Sequence, residues 1–85
     1  GPRECTAVST EIRIKAEEAK RLKNDPAFKG FMASVRETQI SVFMDSEADD
    51  VSAREEAHAM VRALNQIEVN LDAAIAAETL LDRKK

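Results

Sequence analysis

The segment from Ala53 to Arg83 contains no glycine or proline, and its apolar residues recur at heptad spacing. This pattern predicts one long amphipathic α-helix that is covered along a single seam. Glu78 is the one residue that breaks the apolar character of the seam. The seam residues are Ala57, Met60, Leu64, Ile67, Leu71, Ala74 and Leu81. Because helices gain most of their stability from packing, this one needs neighbours.

Two further helices are predicted upstream, over residues 6–23 and 26–44. Asp25 and Pro26 separate them, because a residue before proline avoids helical geometry and proline suits the first helical position. Ser52 and Glu55 form a capping box that predicts the start of the third helix, over residues 53–83. The apolar stripe of the first helix is Val8, Ile12, Ala16, Ala19 and Leu22. The apolar arc of the second is Phe28, Phe31, Met32, Val35, Val42 and Phe43, with Gln39 inside it.

The chain of 85 residues has only two glycines and two prolines, unlike β-sandwiches and barrels. We therefore predict an all-α fold of three helices, dominated by a long antiparallel helical hairpin and working as an oligomer. Residues 3–85 are expected to form a single helical domain, and Gly1-Pro2 is interpreted as the remnant of a cleaved tag. No run of apolar residues is long enough to predict a membrane span or a signal peptide.

Apolar residues left outside the seam indicate where copies of the chain meet. In the third helix a second line of them follows helical spacing, so this helix is apolar on two sides and should be covered on both. Near the end of the second helix another patch points away from the main arc. The predicted oligomer interface comprises Val69, Ala73, Ala76, Leu80, Ile40 and Met44.

The charge of the chain is unevenly distributed, although its net value is only −3. Residues 1–36 carry eight basic and five acidic side chains, whereas residues 37–85 carry five basic and eleven acidic side chains. A basic end of this kind favours contact with a polyanion such as double-stranded DNA, or with the acidic half of another copy. The predicted DNA-binding residues, expected on the solvent side of the first helix, are Arg13, Lys20, Arg21 and Lys23.

The acidic segment between the second and third helices has part of a calcium-loop pattern. Asp45, Glu47, Asp49 and Glu56 stand at loop positions 1, 3, 5 and 12, but Asp50 replaces the glycine that makes the turn. We therefore interpret the segment as an acidic turn. Glu55 and His58 have the spacing of di-iron ligands, but the chain has one histidine, so we predict no metal site and no cofactor.

Nothing in the sequence predicts catalysis. The lone cysteine, Cys5, stands far along the chain from the lone histidine, His58, and cannot form an internal disulfide. A short helical chain rarely offers the concave pocket with convergent groups that an enzyme requires. We therefore expect a protein that is not an enzyme.

Two segments resemble small helical proteins encoded in bacteriophage packaging clusters: AEEAKRLKNDPAF at residues 16–28 and MVRALNQI at residues 60–67. Over residues 16–82 the long hairpin is similar to the oligomerisation element of small terminase subunits. Such proteins form rings, bind viral DNA and deliver it to a large motor subunit. The helix-turn-helix usual in that family is not evident in this chain.

The resemblance implies a non-catalytic assembly factor that regulates viral DNA packaging in the cytoplasm of a bacterial host. It would bind DNA weakly and recruit the large motor subunit. The alternative is a small helical inhibitor or adaptor that binds a single host or phage protein through its apolar helix face.

Overall fold

The computed structural model describes the backbone of residues 2–83 and the side chains of residues 7–83. It contains three helices, α1 (Pro2–Asn24), α2 (Pro26–Asp45) and α3 (Val51–Arg83). No strand occurs within residues 2–83. The prediction of an all-α fold with three helices is confirmed. In the part of the chain that is described, no helix is both long and apolar enough to cross a membrane.

Local signals set the helix ends. Asp25 is the single residue between α1 and α2, and its backbone N–H donates to the Leu22 carbonyl at 3.1 Å. Pro26 then opens α2, as its fixed backbone favours. At the start of α3 the N–H of Arg54 donates to the Asp50 carbonyl at 3.2 Å, so the N-cap is Asp50. The predicted capping box is wrong, because Ser52 lies inside α3.

The first compact unit joins α1 to the part of α3 that begins at Val69. Among the described side chains of this unit, Ala16 and Ala19 are buried, with exposures of 0% and 4%. Alanines at the contact let two helix axes approach closely. Ion pairs of Arg13 with Asp82 and of Lys23 with Asp72 show that the two helices run antiparallel.

The second compact unit comprises residues Pro26–Glu68, which are α2, the turn and the first part of α3. Ala57 and Leu64 of α3 are buried, whereas α2 has no buried residue. Arg36 of α2 donates to Asn65 Oδ1 at 2.8 Å and to Glu68 Oε1 at 2.6 Å, which links the two helices through polar groups.

The covered stripes are narrower than the sequence pattern suggests, because a helix that meets one neighbour is covered on only one side. In α3 the seam residues Met60 and Ile67 remain exposed. In α2 the side chain of Phe31 is 74% exposed, so its assignment to the covered arc is wrong. In α1 the stripe residues Val8 and Leu22 are exposed. Much apolar surface is therefore left on both units.

Candidate functional site

One exposed apolar line runs along α3 in the first unit. Val69, Ala73, Ala76 and Leu80 are spaced four, three and four residues apart, which places them on one side of the helix. All four are exposed, and Val69 and Leu80 are each 57% exposed. The opposite side of α3 faces α1 and carries the half-buried residues Leu71, Ala74, Ile75, Glu78 and Leu81. We name the exposed side the α3 line.

A second exposed apolar patch lies in the second unit, near the end of α2. Ile40 is 49% exposed and Met44 is 75% exposed. They border a groove of about 140 Å³ between α2 and α3. Its walls are formed by Gln39, Ile40, Phe43, Met44, Ala57, His58 and Val61. The structure does not unite this patch with the α3 line in a single unit.

Three of the four cations predicted to bind DNA point toward α3. Arg13 Nη2 donates to Asp82 Oδ1 at 2.8 Å, and Lys20 Nζ donates to Glu78 Oε1 at 2.8 Å. Lys23 forms a hydrogen-bonded ion pair with Asp72.

Arg13, Lys20 and Lys23 therefore lie at the edge of the contact with α3, and not on the far side of α1, while their side chains stay 37%, 41% and 42% exposed. These residues border the same stripe as Ala16 and Ala19, and their long stems reach the carboxylates across the helix contact. Arg21, on another side of α1, is exposed as expected.

Glu78 is at the centre of these ion pairs. Its side chain is only 12% exposed and lies 3.6 Å from Arg13 Nη1 as well as bonding to Lys20. Hydrogen bonding to Glu78 raises the pKa of Lys20 above its ordinary value of 10.5, and the attraction of the carboxylate charge adds to the effect. The hydrogen bond to Asp82, with the charge of that carboxylate, likewise raises the pKa of Arg13.

Sequence reasoning missed this role of Glu78, although a signal was present. Arg13 and Lys20 are seven residues apart, so they lie on the same side of α1 and flank the alanine stripe. An acidic residue in the seam of α3 is the matching partner. Two cations beside the apolar stripe of α1 and a carboxylate inside the apolar seam of α3 together indicate an ion pair between the two helices.

The turn between α2 and α3 is held by Arg54. Its guanidinium donates to Ser46 Oγ at 3.2 Å and to the backbone carbonyls of Glu47 and Ala48 at 2.5 and 3.1 Å. A calcium loop would use its carbonyl and carboxylate oxygens for the ion, whereas here a side-chain cation already occupies carbonyls of the turn. Asp50 Oδ2 accepts from the Glu47 N–H at 3.0 Å.

The structure does not bring the other candidate metal-ligating residues together into one site. Glu55 and His58 are both exposed on α3. Among the described side chains, no group of three or more His, Cys, Asp or Glu residues is arranged to hold a metal ion. The side chain of Cys5 lies outside the described residues.

The described residues thus bring forward three features: the α3 line, the groove beside Met44 and the ion pairs between α1 and α3. Comparison of the chain with protein-family models, with curated proteins and with solved structures finds no match.

Proposed function

We propose that this protein is a non-catalytic assembly factor that self-associates through the α3 line. The observation that carries the proposal is the exposure of Val69 and Leu80, each 57%, on the side of α3 opposite the α1 contact. Burial of apolar surface stabilises association by about 25 cal/mol per Å². Ala73 and Ala76 lie between Val69 and Leu80, and their small side chains allow a second helix to approach closely.

The charges near the α3 line favour contact between identical copies. Asp72, which lies beside the line, is paired with Lys23 of the same chain. Copies that meet here would not bring unpaired like charges together. Ile40 and Met44, which the sequence grouped with this interface, lie in the second unit.

Measurement of mass in solution tests this proposal directly. Light scattering coupled to size exclusion should give a multiple of 9.4 kDa that falls on dilution. A mass of one copy at every concentration would contradict self-association.

A small-terminase-like role in viral DNA packaging extends this proposal, with the long α2–α3 hairpin as the element of an oligomeric ring. Its support is the resemblance over residues 16–82. In that role the assembled protein binds DNA weakly and recruits a large motor subunit in the cytoplasm of a bacterial host. Arg21 would contact phosphates directly. Arg13, Lys20 and Lys23 would contact them only by exchanging their α3 carboxylates for phosphate.

Competition between carboxylate and phosphate makes DNA binding testable. The double variant Asp72→Asn and Asp82→Asn should bind double-stranded DNA several-fold more tightly at low salt, and the gain should vanish at high salt. Fluorescence anisotropy with labelled DNA measures the affinity. The matched control, Glu55→Gln with Glu56→Gln in the second unit, should change the affinity for DNA less. Equal effects of both pairs would contradict contact through α1.

A second candidate function is that of an adaptor that binds one partner protein. The observation that favours it is the open groove beside Met44, whose lining is mostly apolar. The two functions are separable, because they use different units of the chain.

A further inference from the structure

The α3 line has the same order of side-chain sizes from either end. Val69 and Leu80 are the large residues at its two ends, and Ala73 and Ala76 are the small residues between them. Their spacings of four, three and four residues are also the same in both directions. A second α3 laid antiparallel along the line therefore places Val69 opposite Leu80 of the other copy, and Ala73 opposite Ala76. The small pairs let the helix axes approach, and the large pairs cover the ends of the contact.

The charged residues beside the α3 line carry the information on direction that side-chain size lacks. A parallel copy would match the sizes equally well, because each residue would stand opposite itself. Asp72 and Arg83 are eleven residues apart, about three helical turns, so they flank the line on the same side of α3. Both side chains are exposed, and Asp72 is 59% exposed even while it is paired with Lys23.

An antiparallel pair brings these opposite charges together. Two antiparallel helices related by a two-fold axis between Ala73 and Ala76 share each flank, so Arg83 of one copy lies on the same flank as Asp72 of the other. In this register the two residues are about 9 Å apart along the helix axis. The long side chain of arginine bridges such a gap while its apolar stem lies along the contact. The symmetry gives two equivalent ion pairs, one at each end.

A parallel pair would instead place like charges level with each other. Arg83 would stand beside Arg83 of the other copy, and like charges held close together raise the free energy of a contact. Asp72 and Arg83 of different copies would be about 16 Å apart along the axis and on opposite flanks, too far for an ion pair. The helix dipoles also favour the antiparallel direction, since the positive end of one helix then lies beside the negative end of the other.

We propose that a second copy of the chain covers the α3 line in the antiparallel direction, about a two-fold axis between Ala73 and Ala76. This inference rests on the self-association proposed above and specifies the surface and direction of the partner. A two-fold contact uses the same surface on both copies, so it closes at two copies. The α3 line is thus the contact of a dimer, and a ring would require a second, different contact.

A charge reversal tests the ion pair between copies. Arg83→Glu places a carboxylate near Asp72 of the other copy, so the dissociation constant of the dimer should rise about tenfold at low salt, and by less as salt screens the charges. The matched control Arg21→Glu makes the same change in net charge at an exposed position of α1 and should change the constant less. Sedimentation equilibrium measures both. Equal effects of the two variants would contradict the charge contact that sets the direction.

Engineered disulfides test the direction itself. In a Cys5→Ser chain, which has no other cysteine, Val69→Cys and Leu80→Cys are made as separate variants, and one is isotopically labelled. After equal amounts are mixed and oxidised, mass spectrometry should find unlike chains linked about tenfold more often than like chains, because only unlike positions come within disulfide distance. Like positions are about 16 Å apart along the axis. Val69 and Leu80 are each 57% exposed, so both variants should keep the helical circular dichroism of the parent.

A control variant separates a specific contact from random collision. Ala59 is exposed in the second unit, and Ala59→Cys in the Cys5→Ser chain should form its disulfide about tenfold more slowly than the mixed pair. Predominance of like pairs, in a protein whose mass exceeds one copy, would overturn the antiparallel direction and leave self-association intact. Equal numbers of like and unlike pairs, formed at the rate of Ala59→Cys, would exclude the α3 line as the contact. A parent with the mass of one copy at every concentration would contradict the proposed self-association itself.

Discussion

Lys20 of α1 donates a 2.8 Å hydrogen bond to Glu78 of α3, whose side chain is only 12% exposed. A carboxylate in an otherwise apolar seam is costly unless it is paired. The pairing with Lys20, supported by Arg13 at 3.6 Å, therefore explains how the seam accommodates an acidic residue. Because both cations stand on α1, the same contact sets the register of α1 along α3.

A double-mutant cycle should reveal this coupling. Lys20→Met should lower the melting temperature of the parent, since it removes the closest cation from Glu78. In the Glu78→Leu background Lys20→Met should change the melting temperature little. Leucine completes the apolar seam there, and Lys20 has no carboxylate at position 78 whose pairing it could lose. Thermal unfolding followed by circular dichroism compares the four proteins. An identical effect of Lys20→Met in both backgrounds would show that the pair is not coupled.

Stability should depend on Lys20 in the alkaline range. Its pKa is higher in the folded chain than the ordinary value of 10.5, so the folded state binds this proton more tightly than the unfolded state. The stabilisation is complete below pH 10.5 and is lost as pH rises through the folded pKa. The difference in unfolding free energy between the parent and Lys20→Met, measured with urea, should therefore be largest at pH 9 and shrink as pH rises through the folded pKa, which lies above 10.5. A constant difference across this range would contradict the linkage.

The seam residues Leu64 and Met60 should respond differently to truncation. Leu64 is 6% exposed, and Leu64→Ala should destabilise the second unit by about 2–4 kcal/mol through lost burial and a residual cavity. Met60 is 44% exposed, so Met60→Ala should cost less than about 1 kcal/mol. Urea unfolding at one fixed protein concentration measures the loss of unfolding free energy in each variant. Equal costs would mean that Met60 is covered in solution.

Charges placed on the α3 line should separate copies. Ala73→Glu combined with Ala76→Glu introduces carboxylates into the proposed contact, where an unpaired charge costs several kcal/mol on burial. The mass by light scattering should fall to that of one copy while the helical circular dichroism is retained. The matched control, Ala59→Glu with Ala63→Glu on an exposed part of α3 in the second unit, should keep the mass of the parent. An unchanged mass in the first variant would exclude the α3 line as the interface.

One surface feature, the α3 line, could be predicted from the spacing of apolar residues alone. The α3 line follows from apolar residues that lie opposite the seam, and the exposure of Val69 and Leu80 agrees with that arrangement. The orientation of Lys20 could not be predicted in the same way. A residue at the border of an apolar stripe can turn toward solvent or along the neighbouring helix, and the choice depends on which side chain stands opposite. For Lys20 that side chain is Glu78, far away in the sequence.

By itself the sequence determined the three helices and the proline that separates the first two, because periodicity and backbone restriction act over a few neighbouring residues. Only the tertiary structure decided that Leu64 is covered while Met60 is not, and that the cations of α1 pair with carboxylates of α3. The physical reason is that burial and ion pairing depend on the register between helices distant in the chain. That register is set by the packing of small alanines and by the pairing of charges across the contact.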